Sequence, residues 1–142
     1  MKLSEHVNDA RKDLFAKIIQ HIPRMEIEKP LFVIDGKVYC PKDLIKLDEK
    51  TLSKLGAMIE KVKGGQSIKD LLTEDEQIQL CIERYKFLLN QTKNERAKVY
   101  FLSKRRAFAF QDIIKILESK SEPYKIFISA MCKYIDWLIR RG

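Results

Sequence analysis

The chain has 142 residues, 45% of them hydrophobic and 34% charged, with a formal net charge of +8. That is enough chain for one domain with a real core, and the composition is too apolar for intrinsic disorder. No stretch approaches the ~18 uncharged apolar residues of a membrane span, and the polar start, MKLSEHVNDARKDLF, lacks the apolar centre of a secretory signal.

In chain order, the first predicted helix runs from about Ser4 to Ile22. Val7, Leu14, Ile18 and Ile22 form its apolar stripe, Ser4 caps it and Pro23 stops it. The period then changes. LFVIDGKVYC, residues 31–40, places two β-rich runs around Asp35-Gly36, a dipeptide suited to a type I′ hairpin turn. Asp48 is the expected cap of a helix over residues 49–63, with Leu52, Leu55, Ile59 and Val62 buried and Gly64-Gly65 as the stop. After a short turn at 68–72, Thr73 to Glu76 (TEDE) forms a capping box.

From there the pattern predicts one helix of nearly thirty residues. Ile78, Cys81, Ile82, Tyr85, Leu88, Leu89, Thr92, Val99 and Tyr100 share one face, and Leu80, Phe87 and Phe101 a second. Ser103 is the expected break and cap before a helix carrying Phe110, Ile113, Ile114 and Leu117. Phe108 falls opposite the stripe of that helix. SKSEP, residues 119–123, is the last linker, and the final helix, about 124–140, buries Tyr124, Phe127, Ile128, Met131, Ile135 and Leu138. The expected fold is mainly α: a single basic domain spanning residues 1–142, a compact bundle of about five helices with one small β-hairpin near residues 31–40.

The three cysteines, Cys40, Cys81 and Cys132, lie far apart with no C-x-x-C pair, and the only histidines are His6 and His21. A zinc site needs about four clustered ligands, so neither a metal nor another cofactor is expected. The thiols read as small, mostly buried side chains in a reducing cytoplasm. Plentiful Lys, Glu, Ile and Leu with scarce asparagine lean towards a thermophile.

Charge is unevenly placed. Residues 84–106 hold eight Lys or Arg against Glu95 alone, a balance of +7, whereas residues 48–83 balance to −3 with eight acids and five bases. Concentrated positive charge creates a field that attracts phosphate. Within KNERAKVYFLSKRR, residues 93–106, the group Lys104, Arg105 and Arg106 beside a helix start at Ser103 would make an anion site. Lys86, Lys93 and Lys98 extend it. Arg96 falls inside the apolar stripe and is expected to lay its stem on the core. A second candidate lies on the last helix, where Ile126, Ala130 and Trp137 line up roughly opposite the buried stripe. Trp137 with Arg140 and Arg141 has the composition of an interface anchor, and Ile126 extends that line.

No Gly-rich phosphate loop, H-E-x-x-H or G-x-S-x-G occurs, so an enzyme is not expected. Residues 31–63, with a strand, a Gly turn, Tyr39 and the run DLIKLDE, resemble part of the small β-containing domain of the GINS replication-complex subunits. Residues 74–106 are similar to the long Arg- and Lys-bearing helix of that family. The resemblance implies a non-catalytic helicase-associated subunit; it covers parts of the chain only, and no family is assigned on it. The reading from the residues is a non-enzymatic, cytoplasmic nucleic-acid-binding protein, DNA or RNA, that neutralises phosphates with weak sequence preference. The alternative is a protein-interaction subunit of a replication, transcription, RNA-guided or viral complex, docking through its C-terminal helix. A homo-oligomer also fits that alternative; a membrane partner does not.

Overall fold

Leu14 and Ile18 stand one helical turn apart, and the chain is helical over residues 12–19 (α1), with Ile18 buried. The computed structural model describes residues 12–20, 22–92, 98–101 and 105–141, with the backbone alone over 99–101. The expected helix start at Ser4 therefore lies outside the described residues. The chain turns at Pro23 into a short 3-10 helix, Arg24–Glu26.

Strands β1 (Phe32–Ile34) and β2 (Lys37–Tyr39) pair antiparallel in the register Phe32 to Tyr39 and Ile34 to Lys37. Asp35 and Gly36 take φ of 53° and 78°, the two positive values a type I′ turn requires. β1 is buried at all three positions. The hairpin is docked at its tip as well, because Gly36 N–H donates to Glu76 Oε2 at 3.1 Å.

A second 3-10 helix, Pro41–Lys46, leads to α2 (Glu49–Lys63), where Thr51 N–H donates to Asp48 Oδ1 at 2.7 Å. Its four expected core residues are buried, and Gly65 ends it with φ of 111°. Gly56 admits α1 to this helix at close range: a Cβ there would lie 3.3 Å from Leu14 Cδ1. The segment expected as a turn is the short helix α3 (Ile68–Leu71). Next comes α4 (Glu74–Thr92), opened by the reciprocal box in which Thr73 N–H donates to Glu76 Oε1 and Glu76 N–H to Thr73 Oγ1.

The sequence pattern misleads after Thr92. The expected thirty-residue helix ends there among the described residues, and residues Lys98–Phe101 form strand β3. β3 pairs antiparallel with β4 (Arg106–Ala109), Lys98 facing Ala109 and Phe101 facing Arg106. This second hairpin was not expected. Its cause is local: KVYF carries a β-branched and two aromatic residues, and a short apolar run fits a helical wheel and a strand equally well. The following helix, α5 (Phe110–Ser119), consequently starts seven residues after Ser103, with Ala109 as its cap position. α6 (Tyr124–Arg141) closes the chain.

The molecule is a mainly α-helical bundle with the expected small hairpin at 31–40. α6 packs one face against α2, α3, α4 and α5, and the core is one continuous cluster from Ile18 to Ile139. Among the described residues no helix is long and apolar enough to cross a membrane.

Candidate functional site

Strand geometry redistributes the basic region. Lys98 on β3 and Arg106 on β4 stand at opposite ends of the β3–β4 ladder, and Arg105 precedes β4 with a left-handed φ of 49°. All three side chains are exposed, as is Lys86 on α4. Among the described residues none of these four is ion-paired. Arg106 instead lies over the Phe108 ring, 4.8 Å from its centroid. Lys93, Arg96 and Lys104 lie outside the described residues.

Two expectations for this region are corrected. Arg105 and Arg106 do not flank a helix N-terminus; they belong to a hairpin, so helix-dipole attraction cannot contribute at that position. Phe108 is buried rather than set opposite its helix stripe, because it sits on a strand and packs edge-on against Phe127 at 5.1 Å and 84°. The hairpin is thereby pinned to the bundle by an aromatic pair while its charged positions stay in solvent.

Arg84 leaves the basic field altogether. Its guanidinium donates to Glu26 Oε1 at 2.9 Å and to the Pro30 carbonyl at 2.7 Å. Tyr134 Oη donates to the same Glu26 oxygen at 2.7 Å, and Lys29 stands 3.9 Å from the other. Burial alone would raise the Glu26 carboxyl, but the hydrogen bonds and charge of Arg84, helped by Tyr134 and Lys29, hold it below its ordinary value. This network joins the 3-10 turn, α4 and α6. Periodicity gave no sign of it, because a Glu in a loop looks solvated until the chain folds over it.

No family model, curated protein or solved structure matches this chain.

Its sites therefore rest on geometry alone. On α6 the interface candidates separate. Trp137 is 55% exposed and Ile126 is half-buried. Arg140 is exposed but engaged, donating through Nε to the Val62 carbonyl at 2.9 Å and through Nη2 to that of Gln66 at 3.0 Å, which ties α6 to the end of α2 and the chain after it. Arg141 lies over the Trp137 ring at 5.1 Å, and Tyr134 stacks on Trp137 with centroids 6.1 Å apart. Between α4 and α6, beside Tyr134, an apolar groove of about 270 Å³ opens.

Neither buried thiol is poised for chemistry. Burial raises Cys81 to about 12 and Cys132 to about 11, and Cys40, half-buried, is also raised by burial. Among the described residues no three His, Cys, Asp or Glu side chains gather as a metal site.

Proposed function

We propose that this protein binds nucleic acid without catalysing a reaction, and that the β3–β4 hairpin presents the cations that contact the phosphates. The observation that carries this reading is the exposure of Lys98, Arg105 and Arg106 on one short ribbon, with no ion pair to any of them among the described residues. Lys104 lies between the two strands in sequence, and Lys86 and Lys93 add to the same segment of sequence. A two-stranded ribbon is of a size that a groove of duplex DNA accepts. The contacts are to phosphate, so binding is driven by counterion release and reads sequence weakly.

The test is a titration of labelled duplex DNA, single-stranded DNA and RNA at low and rising salt. The variant Lys104→Ala/Arg105→Ala/Arg106→Ala is expected to weaken binding alike for unrelated sequences. It should also flatten the log K against log salt slope by about one unit per lost contact. Lack of binding at low salt, or an unchanged slope in the variant, overturns the reading. A second reading, a protein-interaction subunit, is favoured by one observation, the exposure of Trp137 on α6.

A further inference from the structure

Three exposed large apolar side chains occur among the described residues: Met25, Ile45 and Trp137. Of these, Trp137 adjoins an apolar groove through a shared wall. Cys81, Tyr85 and Leu88 of α4 and Ala130, Met131 and Tyr134 of α6 line that groove, and Tyr134 is also the residue stacked on Trp137. Ala130, Tyr134 and Trp137 follow the i, i+4, i+7 spacing of one helix face, so groove and indole form one strip about 10 Å long.

Its charge is one-sided. Lys133 and Arg141 are exposed beside Trp137, and neither is ion-paired among the described residues. The acid nearest in sequence, Asp136, is buried and already engaged, accepting from Ser67 Oγ and Ile68 N–H at 2.7 Å each. Arg84, the one cation lining the groove, is matched by Glu26. An apolar strip with an unbalanced basic edge is complementary to an apolar strip with an acidic edge.

We propose that this strip docks an acidic amphipathic helix from a partner protein. An apolar side chain of that helix enters the groove beside Tyr134, and its flanking carboxylates pair with Lys133 and Arg141. Nucleic acid fits this strip less well. The indole is already engaged by the Tyr134 ring and the Arg141 guanidinium, which a stacking base would have to displace, and the groove is apolar where a phosphate would need donors. A second copy fits less well too, because a two-fold interface would set Lys133 and Arg141 against themselves. The surface is separate from the basic hairpin. Phe108 anchors the hairpin at Phe127, and ten residues of helix carry Trp137 about 15 Å further along α6.

The test uses a labelled, tryptophan-free helical peptide of about 18 residues with Leu at i, i+4 and i+7 and Glu on both flanks. Its partner is the full chain, whose only tryptophan is Trp137. The peptide is expected to bind and shift Trp137 emission to the blue. Ala130→Glu, which places a carboxylate at the groove mouth, and Lys133→Glu/Arg141→Glu should each weaken binding about tenfold or more. A peptide with every Glu replaced by Lys should bind the charge-reversed protein and not the native one. That rescue separates recognition from loss of fold, and Lys104→Ala/Arg105→Ala/Arg106→Ala should leave all of it unchanged. Absence of peptide binding up to about 1 mM or equal binding of the Lys peptide overturns the proposal. So does an emission shift produced by oligothymidylate instead of peptide, which would assign the strip to nucleic acid. Dimerisation that Trp137→Ala abolishes overturns it in favour of a second copy.

Discussion

Glu26 has no exposed surface, yet its carboxylate is held charged by Arg84, Tyr134 and Lys29. Breaking a buried pair on one side leaves a charge without a partner, so Arg84→Met is expected to cost about 3–5 kcal/mol in a denaturant titration at neutral pH. The pH dependence gives the sign. In the native protein the Glu26 pKa lies below its ordinary value of 4.5, so its contribution is complete above that value and is lost as pH falls through the lower folded value. In Arg84→Met burial dominates and raises the carboxyl, so the deficit should be largest at neutral pH and shrink as acid protonates Glu26. A deficit that is flat with pH would mean that Arg84 acts through packing of its stem. Tyr134, pushed up to about 12 by burial and by its bond to Glu26, stays a donor throughout this range.

At the scale of elements, α3 depends on a helix distant in sequence. Four residues are too few to hold a helix by propagation, and two side chains cap this one: Ser67 Oγ accepts from Lys69 N–H, and Asp136 of α6 accepts from Ile68 N–H and Ser67. Asp136→Ala is expected to cost about 2 kcal/mol by removing charge-assisted bonds. Hydrogen exchange should rise first over 67–71 if the capping account is right. A loss spread evenly over α6 would point to packing instead. The self-contained caps behave differently. Asp48 and the Thr73–Glu76 box were legible from sequence because donor and acceptor lie three residues apart. Even so, Glu76 does more than its motif implies, since its second oxygen receives Gly36 N–H from the β1–β2 turn.

For the whole molecule, α6 is the organising element: it contacts α2, α3, α4 and α5 and buries eight side chains. Its amides between Phe127 and Leu138 are expected to exchange by global unfolding and to be among the slowest in the protein. Exchange of that segment well ahead of α4 would contradict a bundle built around it. The far-ultraviolet spectrum should be dominated by helix, with a small strand contribution from both hairpins. The two proposed recognition surfaces lie apart, the cations of the β3–β4 ribbon at one place and Trp137 near the end of α6 at another.

The sequence by itself determined the helices α2, α4 as far as its end at Thr92, α5 and α6, with their buried stripes, because an amphipathic period and its caps are local properties of ten to twenty residues. It also determined the β1–β2 turn, because Asp-Gly tolerates the two positive φ values needed there. Tertiary structure alone decided where the charges went. Whether residues 98–109 form helix or ribbon depends on a strand partner and on the Phe108–Phe127 contact, and neither is visible in a helical period. The fates of Arg84 and Arg140 were likewise settled by partners 58 and 78 residues away, Glu26 and Val62. A cation's composition and position are the same whether it reaches solvent or a buried acceptor, and only the folded chain supplies the acceptor.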